Sequence, residues 1–578
     1  MIKRFIIIFL TVSLFFSSAF AAESVMVWVQ FYDKDHSEYS LDRPEEFLSQ
    51  RSVERRIRQN IPLDFYDLPV SRFYTDSLLK DTGLTLFYTS KWLNGAMFKA
   101  ANTGVAESLT QYDFVRFTEI AKPSQALESK SEEGVQYTAF KPASGPNPQT
   151  NTMEKVFPYS SEYQTEKVAP FYGAAEGQVK LVSGQSLHER GYWGDGKIIA
   201  VLDAGYRATD TISAFKDLWN QGRVLGYYDF VNAREQLYTG HAHGTFVLSV
   251  MGGYLPGEFS GVATNASYWL LRTEDAASEY RVEEYNWLAG AEFADSVGAD
   301  IINSSLGYTV FDDTLQNYSY YDLDGHTTIV ARAANMAFSR GMLVVNSAGN
   351  YGAQNWRYIG SPADAMGTLA VGGTDADGIR VNFSSVGPTP DGRVRPQVMA
   401  QARAVAVANT MGAISTNANG TSFSAPLISG MAACLWEMFP DATNSQIKNA
   451  IIMGGDRYMN PDSLYGYGIP DFGVVITILE KKLTADNHDQ RDHRKVRLFN
   501  NPLLPESALM FYAVSDEMIS LELFNSNGSK VWGRESVQVF KGFNKIRPFQ
   551  DLFPMGPGIY LIRLNFSNRS QTVKAIIL

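Results

Sequence analysis

Residues 198–205 read Ile-Ile-Ala-Val-Leu-Asp-Ala-Gly, and this stretch decides the fold. Its run of apolar residues, with no polar alternation, is typical of a strand that is buried on both faces. Similar strands are predicted at three further places: Ala299–Asn303, Met342–Ser347 and Leu369–Gly372. Helical patterns that stop at glycines lie between them. This alternation predicts an α/β domain over residues 178–480, a doubly wound parallel sheet covered by helices on both faces.

A polar residue follows the first of these strands directly. Asp203 comes after the strand, so its carboxylate is expected at the carboxyl edge of the sheet, where the chemistry of such sheets collects. A carboxylate in this position can orient an imidazole and stabilise its charged form. Taken alone, Asp203 would more often be a turn or helix-capping aspartate.

A histidine segment is the second candidate. Residues 240–247 read Gly-His-Ala-His-Gly-Thr-Phe-Val, and the small residues after His243 allow a helix to begin close to a site. The chain has only seven histidines, so few candidates exist for a histidine base. His241 and His243 could also bind a metal as a pair spaced by two residues, but no third ligand follows nearby.

Two further segments carry groups that can stabilise an anion. Residues 419–427 read Asn-Gly-Thr-Ser-Phe-Ser-Ala-Pro-Leu and open an apolar helix. Ser422 therefore lies where the positive helix end favours developing negative charge. Asn350 lies in the glycine-flanked stretch that follows a predicted strand, and its amide can donate to an oxyanion. Locally, Ser422 is also readable as a helix N-cap and Asn350 as a turn residue.

Together and in this order, these segments resemble the subtilisin-like serine proteases, or subtilases. The resemblance implies that Asp203 orients the general base and that Ser422 is the nucleophile. His243 is the implied base because Gly-Thr follows it, and Asn350 is the implied oxyanion residue. The implied activity is that of a serine endopeptidase, which hydrolyses protein or peptide substrates through an acyl-enzyme.

A further segment completes the implied site. Ser305, Leu306 and Gly307 follow a predicted strand and resemble the family's segment that binds substrate as an added strand beside the primary specificity pocket. The sequence departs from the family pattern at Ala204, where Ser or Thr is usual, and at Phe246, where His is usual. Neither position transfers protons in the implied mechanism.

Alternatives to a general protease stay open at this stage. The chain could be a catalytically silent binding protein on the same scaffold, or a processing protease with one narrow target. The related sedolisins are disfavoured, because they use a glutamate base and an oxyanion aspartate where this chain has His243 and Asn350.

The N-terminus and the composition indicate export. Lys3 and Arg4 precede an apolar run, and small residues lead to Ala21, which predicts a signal peptide over residues 1–21. No later run approaches the ~18 apolar residues that a membrane span needs. The net charge of −11 over 578 residues argues against a nucleic-acid partner, and the one cysteine, Cys434, excludes an intrachain disulfide.

Residues 22–121 are predicted as a small α+β domain. A strand at Val25–Phe31, a helix after Pro69 and a strand pair over Leu84–Ala100 give an order that resembles a subtilase propeptide. The resemblance implies that this domain assists folding and blocks the cleft until it is removed. An independent binding domain is the alternative. Residues 122–177 are polar and are predicted as a linker and activation region.

The C-terminal part is predicted as a charged linker, residues 481–497, and a small β-sandwich, residues 498–578. Its short motifs resemble a type IX secretion sorting domain: Asn501-Pro502, Ile519–Phe524 with Asn527-Gly528, Gly558–Leu564 and Lys574–Leu578. This implies a transient translocon partner and a secreted or cell-surface protein exported through the periplasm of a Gram-negative bacterium. A generic β-sandwich module is the alternative.

No cofactor is expected. The acidic pairs Asp312-Asp313 and Asp322/Asp324 could bind calcium, but solvated loop carboxylates are the more usual explanation of such pairs.

Overall fold

The structure is a computed structural model, and it describes residues 24–81, 83–123, 171–233, 240–489, 496–499, 503, 507–513, 515–540, 542–548, 556–567 and 569–577. The chain divides into two compact units, Met1–Ile478 and Leu479–Leu578. The predicted signal peptide, most of the predicted 122–177 linker and the Asn501-Pro502 motif lie outside the described residues.

The N-terminal part of the first unit is a four-stranded antiparallel sheet with helices. Its elements are β1 (Val25–Phe31), α1 (Gln50–Gln59), α2 (Arg72–Asp81), β2 (Thr85–Ser90), β3 (Gly95–Ala100), α3 (Thr103–Ser108) and β4 (Val115–Lys122). The strand order is β2-β3-β1-β4. The small α+β domain predicted from the sequence is therefore confirmed.

The larger part of the first unit is the predicted α/β domain. Its first half contains α4 (Glu176–Leu181), α5 (Gln185–His188), β5 (Ile198–Asp203), α6 (Lys216–Asn220), β6 (Val224–Asp229), α7 (His243–Gly252), β7 (Tyr254–Leu255), β8 (Phe259–Ser260) and β9 (Ser267–Arg272). Its second half contains α8 (Val282–Val297), β10 (Ile301–Ser304), α9 (Ile329–Ser339), β11 (Leu343–Ser347), β12 (Thr368–Thr374), β13 (Val398–Gln401), β14 (Val405–Ala408), β15 (Ile414–Ala418), α10 (Thr421–Met438) and α11 (Asn444–Met453). The next helix, α12 (Phe472–Asp489), begins in this unit.

A seven-stranded parallel sheet organises this domain, in the order β13-β12-β11-β10-β5-β9-β6. Its central strands are wholly buried, which explains their continuous apolar sequences. β5, β10 and β11 are neighbours, so the residues that follow them meet at one edge of the sheet. The side chains predicted to act in catalysis or substrate binding follow three of these strands or begin α7 and α10.

The N-terminal domain packs on α8 through buried charges. Asp295, which is 0% exposed, accepts hydrogen bonds from Arg55 at 2.5 Å, Arg56 at 2.8 Å and Lys91 at 3.0 Å. These three cations all belong to the N-terminal domain, and Arg56 also pairs with Asp67 of that domain. Among the described residues, the cations that neutralise this buried carboxylate of the α/β domain all belong to the N-terminal domain.

Helix α1 of the N-terminal domain was not predicted from the sequence. Its Arg55 donates to the carbonyls of Ala299 and Arg340, which follow the ends of α8 and α9. Cations at helix C-termini satisfy carbonyls that have no partner within the helix. Ser49 caps the start of α1 and Asn60 ends it in the left-handed region at φ 62°. These two residues are the signal that could have predicted this helix.

The second unit contains two antiparallel sheets. Its strands are β16 (Arg497–Phe499), β17 (Ala508–Ala513), β18 (Glu517–Asn525), β19 (Lys530–Val539), β20 (Gly542–Ile546), β21 (Gly558–Asn565) and β22 (Ser570–Ile577). The strand orders are β16-β17-β20 and β19-β18-β21-β22. Apolar residues of both sheets, such as Phe511 and Leu523, share one buried core. The β-rich C-terminal region is confirmed.

Two predicted boundaries move in the structure. Residues 481–489, predicted as linker, continue α12, because charged residues favour solvent-exposed helix as readily as linker. Tyr172, inside the predicted 122–177 linker, is buried and bonds to His188, so the α/β domain begins before residue 178. Among the described residues, no helix combines the length and apolar character of a membrane span.

Candidate active site

Asp203 and His243 are hydrogen bonded. Asp203 is the last residue of β5 and is fully buried, and its Oδ1 accepts from His243 Nδ1 at 2.8 Å. The same oxygen accepts from the backbone N–H of Ala204 at 2.8 Å. Asp203 Oδ2 is buried and has no hydrogen-bond partner within the described part of the chain. The carboxylate therefore holds one nitrogen of the imidazole and leaves Nε2 to face the cleft.

The charge of Asp203 changes the proton affinity of His243. Burial alone would lower the pKa of His243, but the negative charge of Asp203 and their hydrogen bond outweigh burial and raise it. A raised pKa means that the protonated imidazole is stabilised relative to the neutral one. This is the electrostatic arrangement expected of a base that must carry a proton during a reaction.

Ser422 lies in the first turn of α10 and is 8% exposed. Its hydroxyl donates to the carbonyl of Ser305 at 3.4 Å, and Ser305 Oγ donates back to the Ser422 carbonyl at 2.9 Å. No hydrogen bond joins Ser422 to His243 in this arrangement, although both side chains line one cavity. Catalytic hydrogen bonds are often long or misaligned without substrate.

The Asn350 amide is held by the residue that precedes Ser422. Asn350 Oδ1 accepts from the Thr421 N–H at 2.9 Å and from Thr421 Oγ1 at 3.1 Å. With its oxygen occupied, the amide turns its Nδ2 donor toward the cleft. Gly420, at φ +144°, leaves this place open, since a Cβ there would lie 3.5 Å from Asn350 Nδ2 and 3.8 Å from Ser422 Oγ. Sequence reasoning assigned no role to Thr421.

The segment of Ser305, Leu306 and Gly307 forms another wall of the same cavity. Asn346 Nδ2 donates to the Leu306 carbonyl at 2.9 Å, and Tyr351 Oη donates to the Gly307 carbonyl at 3.1 Å. The backbone N–H groups of Leu306 and Gly307 donate to no other described residue. The segment is thus fixed by its carbonyls while donors stay available to a ligand.

The cavity has a volume of about 550 Å³, and four acidic residues line it. They are Glu274, Asp275, Glu279 and Asp312, of which only Asp312 was singled out from the sequence. Glu274, Glu279 and Glu283 form a cluster in which one carboxylate oxygen of each residue lies within 4.8 Å of the others. It is the one such cluster of potential metal ligands in the described part of the chain. Glu274, Glu279 and Glu283 lie within ten residues of one another, in the loop after β9 and the start of α8, so the acidic stretch around them is the signal that the sequence offered.

The acidic pairs considered as calcium ligands accept hydrogen bonds within local turns. Asp322 accepts from the backbone of Ser319, and Asp324 accepts from the backbone of His326 and Thr327. Asp313 likewise caps a short helical turn. These contacts account for three of the four carboxylates without an ion.

Comparisons with known proteins agree with this architecture. The Subtilase family profile matches residues 194–468, and the profile of the Peptidase S8 propeptide domain of Bacteroidota matches residues 26–136. A thermostable alkaline protease of Halalkalibacterium halodurans is 30% identical over 302 residues, which are 51% of this chain and 72% of that protein. Subtilisin Savinase of Lederbergia lenta is 30% identical over 297 residues, 50% of this chain and 94% of that protein.

Among solved structures, MycP1 of Mycobacterium smegmatis is similar to this chain, with a TM-score of 0.42 and 22% identity over 54% of this chain and 86% of that one. The fold and the sequence relatives define the class, a serine endopeptidase with a subtilisin-like α/β domain. The chain belongs to the subtilase family and carries a Bacteroidota-type propeptide domain.

Proposed function

We propose that the protein is a secreted serine endopeptidase that cleaves peptide bonds through an acyl-enzyme. Asp203, His243 and Ser422 are the proposed triad, and Asn350 is the proposed oxyanion residue. The observation that supports this best is the 2.8 Å hydrogen bond from His243 to Asp203 in the cavity that Ser422 and Asn350 also line.

The first half of the reaction begins with a change at Ser422. Its hydroxyl leaves the Ser305 carbonyl and turns to His243 Nε2, which takes the proton as Ser422 Oγ attacks the scissile carbonyl carbon. Asp203 stabilises the imidazolium that forms, in keeping with the raised pKa of His243. His243 then gives the proton to the leaving amine, and the acyl-enzyme remains.

The developing oxyanion needs donors that are already in place. Asn350 Nδ2 is one, since Thr421 holds the amide by its oxygen. The Ser422 N–H is the other, because it donates to no described residue and lies at the positive end of α10. Water activated by His243 then hydrolyses the acyl-enzyme by the reverse sequence of steps.

The substrate backbone binds beside Ser305, Leu306 and Gly307 as an added strand. The free N–H groups of Leu306 and Gly307 supply donors for that pairing. This places the residues on the acyl side of the scissile bond along the cavity wall.

Replacement of the nucleophile tests the proposal. Ser422→Ala should lower the rate of casein hydrolysis by at least roughly 10³-fold, because no other group can form the acyl-enzyme. Ser213→Ala, at an exposed serine outside the cavity, is the matched control and should keep the parent rate. Parent activity in Ser422→Ala would refute the assignment. If the parent chain binds casein without cutting it, the alternative of a catalytically silent binding protein is favoured.

We propose that the N-terminal domain, residues 22–121, assists folding and blocks the cleft until residues 122–177 are cut. Lys122, the last residue of β4, supports this, because its Nζ donates to Ser278 at the rim of the cavity at 2.9 Å. Expression of residues 170–490 with and without 22–121 is the test. Equal yields and activities would contradict the proposal.

We propose that residues 1–21 direct export and that the β-sandwich of residues 498–578 is a type IX sorting domain. Three of its motifs lie on β18, β21 and β22, and Asn527-Gly528 lies in the turn after β18, while Asn501-Pro502 and Leu578 lie outside the described residues. A chain without residues 498–578 should accumulate in the periplasm. Normal export of that chain would contradict the proposal, and N-terminal sequencing of the exported form would locate both cleavage sites.

A further inference from the structure

The cavity beside the proposed triad is acidic. Four of the residues that line it are carboxylic acids, Glu274, Asp275, Glu279 and Asp312, and none of the described Lys or Arg residues is among them. These acids lie on the loop between β9 and α8 and on the loop after β10, and they line the same cavity as Gly307. A peptide bound along that segment would therefore run past a wall of negative charge.

The acidic groups differ in how they are held. Glu283, behind the wall, accepts from the backbone N–H of Asp275 at 2.9 Å and of Tyr280 at 3.3 Å, so it shapes the loop. Glu274 accepts from the hydroxyl of Tyr308. The Glu279 carboxylate, half-buried, accepts no hydrogen bond from any described residue. Glu279 is therefore the acid that is available to a ligand.

Two hydrogen bonds of the Glu279 backbone fix its position relative to the cavity. Its backbone N–H donates to Asp312 Oδ2 at 3.0 Å, and its carbonyl accepts from the Asp312 N–H at 2.9 Å. This reciprocal pair ties the two loops together and brings two carboxylates to one side of the cleft. Neither acid forms an ion pair with a described Lys or Arg.

Asp275 is paired with Lys122 and Arg272, while the other acids of the wall face one another without a described cation. Burial first, and then the charge of Asp312, raise the pKa of Glu279 to about 7. Burial and the neighbouring carboxylates also raise the pKa values of Glu274 and Glu283. A cation in the cleft would reverse these effects, because an opposite charge nearby favours the ionised acid.

The chain itself supplies a cation at the rim of this wall. Lys122 Nζ donates to Ser278 Oγ at 2.9 Å and to Asp275 Oδ2 at 3.3 Å, and it lies 5.6 Å from the centre of the Tyr280 ring. Lys122 ends β4 of the N-terminal sheet, one residue beyond the predicted 22–121 boundary, so this ammonium group leaves with that sheet when the domain is removed. A basic side chain is thus the kind of group that this rim already accepts.

We propose that the cleft selects substrates with a Lys or Arg side chain on the acyl side of the scissile bond, and that Glu279 is the specificity-determining residue. The inference rests on the proposed endopeptidase function. Glu274 and Asp312 add to the negative potential, while an uncharged side chain would leave the Glu279 carboxylate without a hydrogen-bond donor.

Peptide hydrolysis by the activated full chain tests this. Quenched fluorescent peptides carry either Lys or Gln at one of the four positions before the scissile bond, with all other residues the same. We expect Lys to raise kcat/KM about 10- to 100-fold over Gln at one position, the range for a hydrogen bond between charged groups. Glu279→Gln should bring this ratio close to one, and Glu279→Asp should keep part of it.

The ratio of the kcat/KM values for two peptides, measured on one enzyme sample, does not depend on the amount of folded protein. Asp377→Asn, at an exposed acid outside the cavity, removes the same charge and should leave the ratio unchanged. A ratio near one in the parent enzyme, with both peptides cut, overturns this inference and leaves the proposed function standing. No cleavage of any peptide defeats the proposed function itself.

Two other outcomes also overturn the inference. One is a Lys preference that survives in Glu279→Gln, since another group would then bind the cation. The other is an equal loss of activity on all peptides, seen both when calcium is chelated from the parent enzyme and in Glu279→Gln. The acids would then hold a metal ion.

Discussion

Asp295 makes the contact between the N-terminal domain and the protease domain sensitive to one charge. Asp295→Asn keeps the shape of the side chain and removes the charge that neutralises Arg55, Arg56 and Lys91. Burial alone would raise the pKa of Asp295, but these three cations hold it far below its usual range. The variant leaves buried cations of the N-terminal domain facing an uncharged amide.

The expected loss of affinity between the two domains follows from the burial of these ion pairs. Removal of one partner of a buried ion pair costs about 3–5 kcal/mol, because the remaining charge is left uncompensated. At about 1.36 kcal/mol per power of ten, the dissociation constant of the N-terminal domain should rise roughly 150- to 5,000-fold. The proposed triad lies elsewhere in the domain, so the fully released protease should keep its kcat.

Dilution of the activated protein measures the dissociation constant of the N-terminal domain. In the proposed zymogen, the N-terminal domain inhibits as a separate polypeptide once the connection is cut, so activity that appears on dilution would report its release. Asp217→Asn, at an exposed acid on α6, is the control and should bind the domain like the parent. A dissociation constant for Asp295→Asn within threefold of the parent value would refute the argument from buried charge.

The other predictions concern the site and the buried thiol. Asn350→Ala should lower kcat about 10²- to 10³-fold, or about 2.7–4 kcal/mol, with little change in KM, as measured by steady-state kinetics. The neutral form of His243 is the proposed base, and its folded-state pKa is raised, so kcat/KM for an uncharged peptide should fall as the pH drops through a value above 6.5. In Asp203→Asn, that acid limb should move to lower pH and kcat should fall about 10⁴-fold, since the imidazole tautomer is no longer fixed. Burial raises the pKa of Cys434, so iodoacetamide should modify this thiol only after unfolding, as read by mass spectrometry.

Much of the fold could be predicted because burial leaves a pattern. The strand before Asp203 and helix α8, which stops at Gly298 with φ +84°, lie where the apolar runs and the glycine predict them. Helix α1 could not be predicted from such a pattern. It buries Arg55 and Arg56 against another domain, and arginines on a helix normally indicate a solvated face.

The candidate residues could be named from local motifs, but their surroundings could not. His243 and Asn350 line one cavity and Asp203 bonds to His243, while their catalytic roles stay a prediction. The acidic wall depends on Glu279 and Asp312, which meet only because two loops fold over one cleft. Their pairing leaves no periodicity in the sequence, so no local pattern could predict it.

In the proposed mechanism, Ser422 is a nucleophile activated by His243. A fluorophosphonate probe, applied to the activated full chain and followed by peptide mass spectrometry, tests this. One adduct is expected, on Ser422, and it should disappear in His243→Ala and when the N-terminal domain is bound. An unmodified Ser422 in a chain that still hydrolyses casein, or an adduct on a different serine, would contradict it.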